Sequence, residues 1–370
     1  MKNFTRKLAG YVLPVLLLFM ACKKQNQRQE LKDFTQVNLV DNNGKYGATR
    51  SDPTLMNAWG LVFNPSGIAW VNAQAGHVSE VYDREGNSLR PPVGIPSPGG
   101  GATGGNPSGI AFNGTQDFKL SNGAAALFLF VSEDGIFSGW NGTAGANALL
   151  IKDNSATASY KGLTMASNGG ANYLYAANFK SGKVDVWDKD FMPVSFSFTD
   201  PAIPSGYAPF NVQAVASWIV VTYAKVGSDG DEQKGEGLGF VSIFNTDGSF
   251  VRRFASHGPL NAPWGVTEAP ASFFDDNDSQ GDNKSMSKTA KNDDQPLLLV
   301  GNFGDGYINA YSLLGEFLGQ LRSHGKPIWI DGLWALSFPP STSTIDPDRL
   351  YFTAGPNDEN DGLFGYLIKQ

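Results

Sequence analysis

The chain has little of several residue types and patterns on which protein chemistry often depends. Its 370 residues include one cysteine and three histidines. A single cysteine excludes disulfides within the chain, CxxC redox chemistry and cysteine-based zinc sites. His77, His257 and His324 lack HxxH or HExxH spacing, so we expect no histidine-rich metal site. Helix signals are scarce after residue 30, because no stretch of about 12 residues shows a 3.6-residue apolar period. The sequence therefore predicts an all-β protein.

Basic residues are also fewer than acidic residues. The chain has 28 Lys and Arg residues against 35 Asp and Glu residues, for a formal charge of −7. Binding to nucleic acids needs clustered Lys and Arg side chains that neutralise phosphates, so we expect no nucleic-acid partner. The sequence also lacks a Gly-x-Ser-x-Gly elbow and an evident set of nucleophile, base and orienting acid. The catalytic residues of any enzymatic activity are therefore unknown from the sequence.

The one long apolar run lies at the N-terminus. Residues 8–21 follow a positively charged start and, at 14 residues, are too short to span a bilayer. The run ends at Ala21, directly before Cys22. This arrangement resembles a bacterial lipobox, in which the cysteine is lipidated and becomes the new N-terminus; the alternative is an ordinary signal peptide. We predict a lipoprotein signal peptide over residues 1–21, lipid attachment at Cys22 and a flexible polar tether over residues 22–33.

These segments also predict where the protein is located. Removal of residues 1–21 leaves 25 basic and 35 acidic residues, a formal charge of −10. We expect a monomeric, extracytoplasmic protein held to a membrane through the lipid on Cys22. Residues 23–26 lack the acidic residues that direct some lipoproteins to the cell surface, which favours the periplasmic face of the outer membrane.

The rest of the chain is built from a repeat of about 50 residues. Each unit ends in an aromatic residue followed by a small polar one. The pairs are Tyr82-Asp83, Trp140-Asn141, Trp187-Asp188, Phe244-Asn245 and Tyr311-Ser312, with Tyr366-Leu367 as a degenerate copy. A period of this length made of short alternating segments is typical of a β-propeller, in which small sheets repeat around an axis.

The starts of the units repeat as well. Four have a glycine before an aliphatic residue and two are degenerate, and the six positions are Gly60, Gly109, Gly162, Asn211, Gly265 and Ala335. Inner strands of a propeller crowd together at the axis, which favours glycine there. The successive intervals are 49, 53, 49, 54 and 70 residues. The sequence therefore predicts a six-bladed β-propeller of four-stranded blades over residues 34–370, with residues 193–198 as the outer strand of blade three.

Three departures from the regular repeat complete the predicted fold. The long last interval contains a polar segment, residues 273–296, which we predict to be a disordered insert in blade five. A smaller glycine-rich and acidic segment, residues 227–239, is predicted to be a loop of blade four, and we call it the blade-four loop. Blade six supplies three strands, and residues 34–40 form an unassigned strand before blade one. We predict that this N-terminal strand completes blade six and closes the ring.

Polar residues recur in the loops between the second and third strands of the blades. Such loops share one face of a propeller, so we expect their side chains to surround the mouth of the central channel. The candidate ligand-binding residues are Asn72, Glu133, Asn178, Asn302 and Asp358. Their oxygens suit a hard cation, and Ca²⁺ is the cofactor that such residues would bind. The alternative is that they are turn residues that bond with their own backbone, an interpretation that their recurrence favours.

Further residues have both a structural and a functional interpretation. The small polar residues after the third strands are predicted to cap turns on the opposite face. Glu268 and Asp331 lie near inner strands, either as channel acids or as ordinary surface residues. Trp59, Trp264 and Trp334 recur at strand starts, where packing between blades is the first interpretation and an aromatic binding platform the second.

Seven stretches together carry a family resemblance, from about residue 34 to the end of the chain. They are NAWGLVFNPSG (57–67), SEDGIFSGWN (132–141), NYLYAANFKSGKVDVWD (172–188), FTDPAIPSGYAPFNVQ (198–213), GPLNAPWGV (258–266), LLVGNFGDGYINAY (298–311) and LYFTAGPNDENDGLFG (350–365). On these stretches the chain resembles a family of uncharacterised exported β-propeller proteins of bacteria. More distantly, its blades are similar to NHL-repeat and SMP-30/gluconolactonase-like propellers. That wider group includes calcium-dependent lactonases and lyases as well as binding scaffolds, so the resemblance implies the fold and leaves the activity open.

Two hypotheses about function follow. The first is a lipid-anchored binding or scaffold protein for a protein or glycan partner, which uses one face of the disc or the channel mouth. The alternative is a divalent-metal-dependent lactonase- or lyase-like enzyme with its site at the channel mouth. The metal ligands would come from the five candidate residues, whose oxygens would have to lie about 2.3–2.6 Å from one cation.

Overall fold

The computed structural model describes residues 31–275 and 295–370, and their strands form six small sheets arranged in a ring. Each inner strand packs against the inner strands of the two neighbouring sheets, and the last packs against the first. The chain is therefore a six-bladed β-propeller, as predicted. The signal peptide, Cys22, most of the tether and residues 276–294 of the predicted insert lie outside the described residues.

Within each blade the strands follow one another in antiparallel order from the axis to the rim. Blade one consists of Ala58–Phe63, Ala69–Ala73, Val78–Tyr82 and Val93–Gly94. Blade two consists of Pro107–Phe112, Phe128–Ser132, Ile136–Trp140 and Leu149–Asp153. Blade three consists of Tyr160–Asn168, Ala171–Asn178 and Lys183–Trp187. Blade four consists of Tyr207–Val215, Trp218–Val226, Gly239–Phe244 and Phe250–Ser256. Blade five consists of Pro263–Ala269, Leu297–Asn302, Ile308–Ser312 and Phe317–Gln320.

Blade six is completed by the N-terminal strand, which confirms the predicted closure of the ring. Its three C-terminal strands are Leu333–Ser337, Leu350–Ala354 and Leu363–Lys369. Phe34–Asp41 pairs antiparallel with the last of these, with Phe34 opposite Lys369. The two ends of the propeller are therefore hydrogen-bonded to each other along a full strand, and neither is left as a free edge.

Short elements decorate this frame. Small strands form at Arg50–Ser51, Pro96–Ser97, Gly101–Gly104, Glu232–Gln233, Arg322–Ser323 and Lys326–Pro327, and short 3-10 helices at Pro98–Gly100 and Ala271–Phe274. In the part of the chain that the structure describes, no helix has the length and apolar character needed to cross a membrane.

The inner strands lie so close together that the glycines at their starts have no room for a side chain. A Cβ atom on Gly60 would lie 2.2 Å from the carbonyl oxygen of Ser108 in the next blade. In blade four Asn211 takes the place of the glycine, and its amide donates to the carbonyl of Trp264 at 2.8 Å. The glycine signature therefore reflects close packing at the axis.

Blade three differs from the prediction of four strands. Residues 193–198, expected as its outer strand, are joined to the blade by a bridge between Pro193 and Trp187. Proline has no amide hydrogen to continue a ladder, and the chain then turns toward blade four. There the Phe198 ring lies 5.2 Å from the ring of Phe244. The segment covers the seam between two blades instead of extending one sheet, so blade three has three strands.

Ordered structure extends into two segments that the sequence assigns to tether and insert. Leu31 is 1% exposed, and its carbonyl accepts a hydrogen bond from the amide of Arg322 at 2.7 Å. Phe273 is buried in the 3-10 helix Ala271–Phe274, where its ring stacks 4.7 Å from that of Phe34. Both residues belong to the hydrophobic core between blades five and six.

The disc has two distinct faces. The upper face carries the starts of the inner strands and the loops between second and third strands. The lower face carries the hairpins between third and outer strands. In blade three, Tyr160 at the start of the inner strand pairs with Asn178 at the end of the second strand. This pairing places the candidate ligand-binding loops on the upper face.

Candidate functional site

Three of the candidate residues are asparagines whose side-chain amides donate hydrogen bonds to neighbouring groups within the propeller. Asn72 Nδ2 donates to a backbone carbonyl at the start of blade two, 3.0 Å away. Asn178 Nδ2 donates to Asp185 Oδ2 at 2.9 Å, and Asn302 Nδ2 donates to the carbonyl of Pro259 at 2.7 Å. All three side chains are buried and have different partners. The structure therefore does not bring these amides to one point.

Glu133 is the candidate residue that reaches the channel mouth. It lies in the loop between the second and third strands of blade two, and its side chain is 20% exposed. Its carboxylate accepts hydrogen bonds from Lys161 Nζ of blade three and from Gln74 Nε2 of blade one. Glu133 therefore joins three blades across the mouth.

Blade six contributes a neighbour of the candidate Asp358. Residues 357–359 have φ values of 60°, 49° and 65°, and Asp358 is exposed at the centre of this left-handed run. The next residue, Glu359, is turned inward, and Asn57 Nδ2 donates to its carboxylate at 2.8 Å. The carboxylate that blade six places at the mouth is therefore that of Glu359.

An aromatic floor closes the axis beneath the upper face. Trp59, Trp264 and Trp334 come from the inner strands of blades one, five and six, and each is at most 5% exposed. The ring of Trp334 stacks on Trp59 at 3.8 Å and on Phe303 at 3.9 Å. We call these four residues the aromatic floor. The tryptophans meet one another at the centre, instead of packing in separate seams between blades.

Lys161 lies against this floor as a buried cation. Its side chain is 2% exposed, and its Nζ is 5.3 Å from the centroid of the Trp59 ring. Three carboxylates surround the ammonium: that of Glu133, that of Asp231 at 2.9 Å and that of Glu232 at 3.4 Å. An ammonium buried this deeply needs paired charges to offset its lost hydration. The ammonium of Lys161 is therefore the central charge of the mouth, and the three carboxylates are arranged around it.

The blade-four loop supplies two of these carboxylates and extends across the mouth. It contains the short strand Glu232–Gln233, which pairs with the second strand of blade four. Farther along, Lys234 Nζ lies 4.3 Å from the centroid of the Phe303 ring. The amide of Gly235 donates to Asn261 Oδ1 at 2.7 Å. The loop thus reaches from blade four to blade five and covers part of the aromatic floor.

Carboxylates outnumber cations at the mouth. Burial raises the pKa of Glu232 to about 7, against the opposing effect of the Lys161 ammonium. Burial likewise raises the pKa of Glu359, against the hydrogen bond from Asn57. Burial disfavours the charged form of a carboxyl, so these raised pKa values mean that the nearby positive charge does not fully offset the lost hydration. The pKa of Lys161 is held above its ordinary value by Glu133 and the blade-four loop, although burial acts in the opposite direction.

Glu359 differs from the other carboxylates of the mouth because it forms no ion pair within the described residues. Among the ion pairs within residues 31–275 and 295–370, none includes its carboxylate. The nearest positive charges that affect it are those of Lys161 and Lys234. Four carboxylates, from Glu133, the blade-four loop and Glu359, therefore share two ammonium groups.

The described ranges contain no group of three or more His, Cys, Asp and Glu residues that could hold a metal ion. Both carboxylate oxygens of Glu133 are bonded to protein donors, from Lys161 and Gln74. The side-chain oxygens of the five candidate residues do not converge on one position that a cation could occupy. At the mouth, a lysine ammonium lies where the carboxylates converge.

The other residues singled out in the sequence lie elsewhere. On the lower face, Asp83 and Asp188 each accept two backbone hydrogen bonds of 2.9 Å, from the amides two and four residues farther along. Glu268 lines a lower-face groove of about 270 Å³ between blades four and five. Asp331 is exposed and accepts a hydrogen bond from the amide of Asn357 at 2.9 Å. The three histidines have positive φ values in separate loops: His77, His257 and His324.

Sequence reasoning missed the residues that build the mouth. Lys161 stands in the repeated strand-start signature, at a position that holds a different residue type in other blades. Glu359 is adjacent to the candidate Asp358, within a run of polar residues. The acidic composition of the blade-four loop was a visible signal, but its path across the axis was not.

No protein-family model matches the chain. The chain is similar to two proteins of Acanthamoeba polyphaga mimivirus. Uncharacterized protein R648 is 32% identical over 349 residues, which cover 90% of this chain and 80% of R648. Uncharacterized protein L690 is 32% identical over 352 residues, which cover 90% of this chain and 86% of L690. Both relatives are viral, so the bacterial origin expected from the sequence resemblance is not supported.

Among solved structures, the chain is similar to regucalcin, a calcium-binding protein from Agrobacterium tumefaciens. The overlay has a TM-score of 0.47 and 13% sequence identity, and it covers 85% of this chain and 92% of regucalcin. An overlay this loose carries no argument about ligands or activity.

Proposed function

The chain belongs to the family of the mimivirus proteins R648 and L690, and we propose that it is a binding protein that holds a positively charged ligand at its channel mouth. The proposal includes an extracytoplasmic location and a lipid anchor on Cys22, on the periplasmic face of an outer membrane. The N-terminal sequence pattern supports both. The observation that carries the binding function is the carboxylate cluster around Lys161 above the aromatic floor.

The surroundings of Lys161 are those that an organic cation requires. Carboxylates in a partly buried site form strong charge-assisted hydrogen bonds with ammonium groups. The face of an aromatic ring attracts a cation electrostatically, and Trp59 presents its ring to the ammonium at 5.3 Å. A ligand that carries an amine or a basic side chain finds both types of contact here.

Glu359 is the carboxylate that such a ligand would engage first. Asn57 holds it in place at 2.8 Å, and the carboxylate forms no ion pair among the described residues. A ligand ammonium beside Glu359 would offset part of the remaining negative charge of the mouth. The sequence leads us to expect a protein or glycan partner, and the carboxylates at the mouth restrict this class to partners that carry positive charge.

The melting temperature tests this proposal with defined probes. Spermidine at 100 times its dissociation constant should add about 2.7 kcal/mol to the free energy of unfolding, because it binds the folded state alone. We expect Glu359→Gln to lower the affinity for spermidine about tenfold, a change of ~1.4 kcal/mol in the binding free energy. The matched control is Asp190→Asn, which removes one negative charge from an exposed ion pair with Lys189 on the lower face.

Two results would contradict the proposal. One is the absence of a spermidine shift at millimolar concentration and low salt. The other is an equal loss of affinity in Glu359→Gln and Asp190→Asn, which would indicate binding to net charge alone. Citrate, an anion of similar size, should give no shift.

A second function has one observation in its favour. A buried Glu232 with a pKa of about 7 has the protonation behaviour of a general acid or base, and it lies at the mouth of the channel. This favours the lactonase- or lyase-like activity with a divalent metal. Ca²⁺ and EDTA in the same melting series decide between the two functions. A shift with Ca²⁺ but none with spermidine, together with Ca²⁺-dependent hydrolysis of a simple lactone, would replace the binding function by the enzymatic one.

A further inference from the structure

Four of the nine exposed large hydrophobic side chains in the described residues belong to the outer strand of blade four and the adjacent hairpin of blade five. In residues 31–275 and 295–370, the most exposed large hydrophobic residue is Leu314, at 87%. Phe317, three residues later, is 40% exposed, and Phe250 and Val251 of blade four are 37% and 41% exposed. We call these four residues the apolar rim. A group of exposed apolar side chains often marks an interaction surface, and this one includes the most exposed side chain of the set.

Hydrogen bonds link the two halves of the apolar rim across the seam between blades four and five. The guanidinium of Arg252 donates to the carbonyls of Leu313 and Leu314, at 2.5 Å and 3.1 Å. Arg252 directly follows Phe250 and Val251 in the outer strand of blade four. The hairpin of blade five is thereby held against that strand.

The N-terminal segment enters the propeller beside this rim. Leu31 packs against Gly319, and its carbonyl accepts a hydrogen bond from the Arg322 amide at 2.7 Å. Leu31 and Phe317 line one groove of about 290 Å³. Eight residues lie between Cys22 and Leu31, and an extended chain spans at most about 3.3–3.6 Å per residue. The backbone of Cys22 therefore lies within roughly 30 Å of the groove that Leu31 shares with Phe317.

We propose that the apolar rim rests on the lipid bilayer in which the Cys22 lipid is inserted. The inference rests on the lipid anchor proposed above. A short tether confines the nearby rim to the membrane surface, where Leu314 and Phe317 enter the interfacial region. Stable membrane attachment commonly combines a lipid with a second contact of this kind. The disc then stands on the edge of blades four and five, and the channel mouth on the upper face stays open to solvent.

Lipid quenching of a fluorescent label tests this orientation in the full, lipidated chain. Because Cys22 is the only natural cysteine and would be acylated, an engineered cysteine is the only thiol to label. The test variants are Leu314→Cys and Phe317→Cys. The matched controls are Met192→Cys and Leu89→Cys, which are 58% and 49% exposed on other blades. The protein is reconstituted into phosphatidylcholine vesicles that contain a nitroxide-labelled lipid.

We expect labels at 314 and 317 to be quenched at least threefold more than labels at 192 and 89. Equal quenching at all four positions, or stronger quenching at 192, would overturn the inference. Mass spectrometry of the same samples separates the two proposals. An acyl chain on Cys22 with uniform quenching refutes the orientation alone, whereas the absence of an acyl chain refutes the anchor and the orientation together.

Discussion

The two faces of this propeller use polar residues in different ways. On the lower face, Asp83 and Asp188 bond with backbone amides no more than four residues away. On the upper face, Lys161 bonds with carboxylates that lie 28, 70 and 71 residues away in the chain. A lower-face turn forms from its own segment, whereas the upper-face cluster exists once the ring has closed. The Asp83 and Asp188 caps of the lower face are therefore local interactions, whereas the upper-face cluster couples several blades.

The largest expected effect comes from removing the cation at the centre of that unit. Lys161→Met leaves three carboxylates at the mouth without their buried partner, so we expect the free energy of unfolding to fall by about 3–5 kcal/mol. Urea denaturation measures this loss. The matched control is Lys180→Met, an exposed lysine of the upper face whose ammonium donates to carbonyls of Ser155 and Ala156, and it should cost less than about 0.5 kcal/mol.

A double variant tests whether the loss comes from charge. Glu232→Gln added to Lys161→Met removes one of the unpaired carboxylates, and we expect it to recover part of the lost stability. Equal stabilities of the single and double variants, or a Lys161→Met loss no larger than that of Lys180→Met, would show that the upper face is not coupled through this ammonium.

The stability contributed by carboxyl groups is expected to depend on pH in opposite ways on the two faces. On the upper face, burial raises the pKa of Glu232 to about 7. On the lower face, hydrogen bonds from Asn87 and from the Glu85 amide lower the pKa of Asp83, against the effect of burial. A carboxyl whose pKa is raised on folding binds its proton more tightly in the folded state. It therefore adds stability as the pH falls from about 7 toward its unfolded value, and this gain is absent at pH 8.

We expect Glu232→Gln to flatten the stability profile between pH 8 and pH 5.5 by about 1–2 kcal/mol relative to the unmodified protein. Glu80, whose pKa burial also raises to about 7, gives the variant a remaining slope of the same sign. The comparison variant Glu85→Gln changes a lower-face carboxylate that pairs with Arg349 at 2.9 Å, and its profile is measured beside that of the unmodified protein. A steeper profile in Glu232→Gln would contradict the assignment of its pKa.

The smallest effect is expected on the lower face. Asp83→Ala removes two backbone hydrogen bonds from one turn, and we expect a loss of about 1 kcal/mol. Because the two caps are local and lie in different blades, the losses of Asp83→Ala and Asp188→Ala should add to within about 0.5 kcal/mol in a double variant. Thermal and urea unfolding of the three variants provide the values. A large departure from additivity would mean that the lower face is coupled as well.

The same contrast explains how much could be predicted from the sequence. The blades, their order and the closing strand follow from local patterns: an aromatic residue and a small polar residue at one end, and glycine at the other. Phe34–Asp41 could be placed because blade six lacked a strand. The predicted outer strand of blade three was wrong, because Pro193 forms only an isolated bridge to Trp187 and Phe198 then packs against Phe244 of blade four, a contact that no local pattern contains.

The candidate site was less predictable for a physical reason. Glu133 was identified because it lies in a recurring loop, but its partner Lys161 is distinguished by contacts with other blades. The inward turn of Glu359 depends on three consecutive residues with positive φ, and neighbouring acids in a polar run do not show which one turns inward. Distances across the axis are set by ring closure and are not encoded in the spacing within any repeat.

The most direct test of the central claim is a crystal structure of the protein with spermidine. The proposed function predicts an ammonium of the ligand about 2.7–2.9 Å from the carboxylate of Glu359, beside Lys161 and above the aromatic floor. Spermidine bound elsewhere on the acidic surface, with the mouth unchanged at saturating concentration, would contradict it.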